Sequence, residues 1–162
     1  MRKKVLHILG KSRSGKTTLI EKLLAEFQKR GFKVSVLKHS HQEIELDKKG
    51  KDTFRFTESG AEMVGFLTAR KTYLLKKRED KDFELLTDFL FFNSDLVLVE
   101  GHKQSSYPAI QMVKIGEKLF SQSLAVISSE KIDTELPVFH PGETRKLADF
   151  IVKKLKLKRR RK

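Results

Sequence analysis

A chain of 162 residues with 38% apolar and 35% charged side chains can bury a real core and fits one domain, which excludes a disordered polyelectrolyte and two ordinary domains. The absence of cysteine excludes disulfides, thiolate nucleophiles and thiolate-held metal. Of the formal charge of +14, eight units lie in the last ten residues, KKLKLKRRRK, leaving +6 for the body, so much of the basicity is a tail that nucleic acid or anionic lipid would attract nonspecifically.

The N-terminus, MRKKVLHILG, starts positively, but its apolar run from Val5 to Leu9 is too short for a signal peptide and leads into a glycine motif. No run approaches the roughly 20 apolar residues of a membrane span, so the expectation is a soluble, cytoplasmic protein with no membrane partner. Val5 to Leu9 reads as a buried strand entering a tight turn. From Thr17 to Arg30, residues Leu19, Ile20, Leu23, Leu24 and Phe27 share one helical face, and Gly31 stands where a helix often stops. Lys33 to Leu37 reads as a second strand, which makes a strand–helix–strand crossover.

A short helix is predicted around Thr53 to Ser59, followed by a hairpin of Glu62 to Thr68 and Thr72 to Lys76. Phe83 to Phe92 has helical spacing, and Leu96 to Val99 is a fully apolar strand. Further strands are expected at Ala109 to Val113, Leu124 to Ser128 and Val138 to His140, and Glu143 to Leu155 closes the chain as a helix with Leu147, Phe150, Ile151 and Leu155 inward. This alternation implies an α/β sandwich with a mainly parallel sheet and a β-hairpin insertion. Residues 1–152 form one domain in this reading, and 153–162 a basic C-terminal extension.

Residues 10–18, GKSRSGKTT, match the P-loop pattern, with the required strand before and helix after. Gly10 and Gly15 permit backbone angles that let successive N–H groups turn around phosphate oxygens. The amides of Lys11, Ser12, Arg13 and Ser14 fall in the same loop, and the helix starting near Lys16 aims its positive end at the same anion. Lys16 would reach the β and γ phosphates and stabilise charge in any phosphoryl transfer, Thr17 would ligate magnesium, and Thr18 would bond the α phosphate.

Such a loop needs a carboxylate near the magnesium, and SDLVLVEG, residues 94–101, offers Asp95 and Glu100 at opposite ends of one strand. Five residues at ~3.3 Å each separate the two by roughly 16 Å, so only one stands beside the phosphates. In a parallel sheet that is the carboxyl end, which selects Glu100 and sends Asp95 to the far side.

Three blocks, GKSRSGKTT, then KHSH followed by GKDTFRFTESGAEMV, and DLVLVEGHKQSSYPAI, resemble the molybdopterin-guanine dinucleotide biosynthesis protein B family, in the right order across much of residues 3–113. The resemblance implies a dimeric GTP-binding protein of the SIMIBI class with weak GTPase activity. It implies an accessory role beside the guanylyltransferase, of the MobA type, that attaches GMP to molybdopterin. Two departures matter. After the strand ending at Ser128 stands SEKID, where a common GTPase has Asn-Lys-x-Asp. Glu130 replaces the Asn, and Asp133 is either a base reader accepting both guanine N–H groups or a loop acid. Lys11 sits where deviant P-loops carry a lysine that crosses to the partner's nucleotide, but Ser12 and Arg13 replace the glycines beside it, and a solvated cation near phosphate is the other reading.

KHSHQEIELDKKGKD, residues 38–52, admits three readings. His39 and His41 point the same way on an extended segment and would begin a metal site. The alternating acids suit an exposed strand. Alternatively the segment leaves the carboxyl end of the second strand as a nucleotide switch, with Asp52 approaching magnesium and Lys38, His39 and Lys51 facing an anion. With no water-positioning Gln or arginine finger in the sequence, slow hydrolysis is expected. The competing functions are a small-molecule kinase with its acceptor beyond Glu100 near Ser105 to Tyr107, and a nucleic-acid-binding module using the tail.

Overall fold

The computed structural model describes residues 3–40, 49–76, 79 and 82–159. In chain order the elements are β1 (Val5–Leu9), α1 (Lys16–Lys29), β2 (Val34–Lys38), α2 (Asp52–Glu58), β3 (Met63–Leu67) and β4 (Thr72–Lys76). They continue with α3 (Asp82–Phe92), β5 (Leu96–Glu100), β6 (Ala109–Met112), β7 (Ser123–Ile127), β8 (Val138–Phe139) and α4 (Thr144–Leu155). Each bound lies within one residue of the sequence expectation.

Two compact units result, one from residues 3–40 with 85–159 and one within 49–84. The first carries a six-stranded sheet in the order β2-β5-β1-β6-β7-β8, and every neighbouring pair is parallel. β1 and β5 stand inside it, and their burial follows from composition. VLHIL is buried at every position and LVLVE at all but its last, the unbroken apolar run that a strand covered on both faces requires. Leu6, Ile8, Leu96, Leu98 and Ile110 meet Leu19, Leu23 and Phe27 of α1 and Leu147 and Ile151 of α4 in one core. The second unit holds α2 and the antiparallel β3–β4 hairpin, in which Val64 pairs with Leu75 and is buried. Its turn is closed by the Thr68 hydroxyl, which accepts from Lys71 N–H at 2.9 Å.

The two long helices stop by the same device. Phe32 N–H reaches back to Phe27 O at 3.0 Å and Gly31 N–H to Gln28 O at 2.9 Å, with Gly31 at φ 74° and the Phe27 and Phe32 rings edge to face. At the end of α4, Leu157 N–H bonds Val152 O at 3.0 Å and Lys156 N–H bonds Lys153 O at 3.2 Å, with Lys156 in the left-handed region at φ 50°. α4 runs through Leu155, and Leu157 is 7% exposed because the helix stop turns it back onto the core. A chain ending at Val152 should lose about 2–5 kcal/mol of stability, the usual cost of emptying a buried leucine site. One ending at Arg159 should stay within about 0.5 kcal/mol of the full chain. Urea denaturation of the two truncations checks this, and equal losses would count against it.

Candidate functional site

Between β1 and α1 the chain turns through Gly10, Arg13 and Gly15, with φ of 152°, 58° and 93°. Gly10 is required on steric grounds, because a Cβ there would come within 2.7 Å of Ser14 Oγ and 3.0 Å of Met112 O. Gly15 is the N-cap of α1, with no side-chain cap, so the first amides of the helix face outward from the turn. The half-buried Lys16 folds over the loop and donates through Nζ to Lys11 O at 2.6 Å and Gly10 O at 3.3 Å. Ser14 Oγ is buried and has no hydrogen-bond partner among the described residues. Ser12 and Thr18 are exposed on the loop and the first helical turn.

β5 pairs with β1 in a register that sets Glu100 opposite Ile8, at the carboxyl end of both strands. From there Glu100 meets α1, and Thr17 Oγ1 donates to Oε1 at 3.3 Å and Oε2 at 3.2 Å. Asp95, by contrast, is buried at the amino end of β5 and accepts from Lys33 N–H at 2.8 Å. Asp95 ties the start of β5 to the start of β2. Immediately after Glu100 the chain reverses through Gly101 at φ 87° and His102 at φ 61°. A Cβ on Gly101 would lie 3.3 Å from His39 O.

A row of rings that sequence reading missed lies beside Glu100. His39 and His102 meet edge to face with centroids 4.6 Å apart, His102 and His7 are 6.1 Å apart, and Tyr107 stacks on His7 at 6.0 Å. His7 is buried mid-strand with Nδ1 2.9 Å from Gly101 O, so that nitrogen carries the hydrogen. A histidine inside an apolar strand was the available signal. Among the described residues no three histidines and carboxylates are grouped to hold a metal. His41, the other half of the histidine metal reading, lies outside the described residues.

On the other side of the loop, Lys11 pairs with Glu117 at 2.9 Å, and that hydrogen bond holds the Glu117 carboxyl below the usual carboxylate range. Gly10, Lys11, Lys103 and Gln111 line a cavity of about 270 Å³, and residues 116–118 form a wall it shares with a second cavity of about 390 Å³. Asp133 lines the second cavity together with Lys131, Ile115 and Ile132. Asp52 belongs to the other unit, where it opens α2 with Arg55 at 3.9 Å.

The residues fit a phosphate ligand with a hard divalent cation. A buried hydroxyl without a partner among the described residues marks a polar group still to be met, the loop admits no Cβ at Gly10, and Thr17 and Glu100 form an oxygen donor set of the kind magnesium takes.

Fold and site together define an α/β protein with a glycine-rich loop and a strand-end glutamate joined at the carboxyl edge of a parallel sheet. Within that class the chain belongs to the family described as molybdopterin guanine dinucleotide synthesis protein B, whose profile matches residues 5–132. It is 36% identical to the molybdopterin-guanine dinucleotide biosynthesis adapter protein of Haemophilus influenzae, over 91% of this chain and 86% of that one. Against the probable adapter protein of Bacillus subtilis the identity is 30%, over 94% and 93%. A crystal structure of molybdopterin-guanine biosynthesis protein B superposes with a TM-score of 0.75 at 28% identity, covering 94% of this chain and 99% of the other. No helix among the described residues is long and apolar enough to cross a membrane.

Proposed function

We propose that this chain binds GTP with Mg²⁺ at residues 10–18 and acts as a cytoplasmic, homodimeric adapter in the assembly of molybdopterin guanine dinucleotide, working beside a guanylyltransferase of the MobA type and hydrolysing GTP slowly. The relatives named as biosynthesis adapter proteins support the pathway. The contact of Thr17 with Glu100 carries the nucleotide reading, because it joins the first helical turn to a strand-end carboxylate beside the loop.

The chain's own groups divide the work. Lys16 exchanges its two loop carbonyls for phosphate oxygens, a swap of neutral acceptors for charged ones that strengthens both bonds. The loop amides and the N-terminus of α1 orient the phosphates, and Ser14 gains the acceptor or donor that its hydroxyl lacks. Thr17 and Glu100 would hold the magnesium, which when bound neutralises and polarises phosphoryl oxygens. Asp133 is proposed as the acceptor for guanine N–H groups. These residues bind and neutralise more than they organise an attacking water, which makes turnover slow.

Calorimetric titration of the full chain with GTP and ATP, each with and without magnesium, tests the reading. GTP is expected to bind more tightly than ATP, and magnesium to strengthen it at least about tenfold. Equal or stronger ATP binding would overturn the guanine assignment. Fast consumption of nucleotide only in the presence of a small-molecule acceptor would favour a kinase.

A further inference from the structure

The segment 114–119 forms a wall of the cleft that ends at Asp133, and side chains from three other segments hold it. Gln111, buried on β6, accepts from Phe120 N–H at 2.9 Å and donates to Lys118 O at 2.9 Å. Lys11 of the glycine-rich loop grips Glu117. From the SEKID segment, Glu130 Oε2 accepts from Ile115 N–H at 2.7 Å, and the Glu130 amide is itself bonded to Ser128 Oγ at 3.1 Å. An exposed isoleucine is ordinary in a folded chain. Ile115 differs in that its backbone is fixed by a charge-assisted bond while 69% of its surface stays open, in a cleft shared with the half-buried Ile132 and the carboxylate of Asp133. Two apolar side chains and one placed acceptor are what a planar heterocycle with N–H edges requires.

We propose that Glu130 is a positioning residue of a nucleoside pocket: by holding the Ile115 N–H it sets the Ile115 side chain against one face of a purine whose phosphates occupy the glycine-rich loop. This rests on the nucleotide reading above. It also accounts for a glutamate where an asparagine would read the base in a common GTPase. The carboxylate is engaged by the backbone of the neighbouring segment, so hydrogen bonding to the purine edge falls to Asp133. The cavity bounded by Gly10 and Lys11 shares residues 116–118 with this cleft, so the two are neighbours on either side of one short segment.

The test measures binding of Mg·GTP and of inorganic tripolyphosphate, which has no base, to the full chain and three variants. Glu130→Ala and Ile115→Ala should each weaken GTP about five- to tenfold, the loss of one charge-assisted bond or one apolar contact face. Tripolyphosphate affinity should stay within about twofold, because its contacts lie on the loop. Glu130→Gln keeps an acceptor oxygen and should hold GTP binding within about threefold of the wild type. Ile115 is exposed, so its replacement leaves the core intact if Glu130→Ala folds poorly. Unchanged GTP affinity in both alanine variants overturns the proposal, and so does a parallel loss of tripolyphosphate binding. If the wild-type chain binds neither ligand, the nucleotide reading itself fails and the pocket falls with it.

Discussion

Replacing Lys16 with alanine is expected to weaken GTP binding at least about 100-fold, near 3 kcal/mol, with little change in stability. The ammonium of Lys16 already lies in the turn, bonded to the carbonyls of Gly10 and Lys11. In the variant those carbonyls return to water at little cost, because the loop is largely exposed. What is lost is charge at the place proposed for the phosphate oxygens, beside the N-terminus of α1. Lys16→Arg should fare little better, since a planar fork does not replace a compact point charge there. Binding of a fluorescent guanine nucleotide, read beside a thermal melt, checks both. Retention of affinity within about fivefold, well short of one full charge-assisted contact, would mean the phosphates are elsewhere.

The second large effect concerns the cation. Glu100→Gln and Thr17→Ala are expected to abolish most of the magnesium enhancement while leaving metal-free GTP affinity within about threefold, because a neutral amide or a methyl is a poor ligand for a hard divalent ion. Glu100→Gln is the cleaner of the two. Its amide oxygen can still accept from Thr17, so the geometry at the end of β5 is kept and only the charge goes. Titrating GTP with and without magnesium separates metal from nucleotide effects, and an undiminished enhancement in Glu100→Gln would remove it from the metal set.

Much of this was legible in the sequence for identifiable reasons. A glycine that tolerates no Cβ, a lysine and a threonine at fixed spacing, and the polarity of a parallel strand are local facts, and they picked out Gly10, Lys16, Thr17 and Glu100. The core was equally readable, since β1 and β5 are apolar without interruption. Long-range pairing was harder. That Lys11 turns to Glu117, that Glu130 holds Ile115, and that Gln111 supports residues 118–120 depends on how the β6–β7 connection folds back, which no periodicity encodes. The polar Gln111 in the apolar run AIQMV was the one visible hint. On α3 the spacing of Leu85, Leu86, Phe89 and Leu90 marks a helix, yet Leu90 is only half-buried and the fully buried positions are Thr87 and Phe91.

The cationic C-terminus has an electrical counterpart inside the fold. Because the strands are parallel, α1 runs opposite to them and ends at the pole of the sheet far from the glycine-rich loop. α4 lies against α1 there, with Arg30 bonded to Asp149 at 2.6 Å and to Arg145 O at 3.2 Å. Each helix brings about half a negative charge to that pole. Lys29 lies in the last turn of one, Lys153 and Lys154 in the last turn of the other, and a Cβ placed on Gly31 would lie 3.5 Å from the Arg159 side chain. Part of the tail's charge is therefore countercharge to the helix ends, set there by the same polarity that turns the positive end of α1 toward the loop. The formal charge of +14 is unchanged by this, but part of it faces the helix ends at that pole.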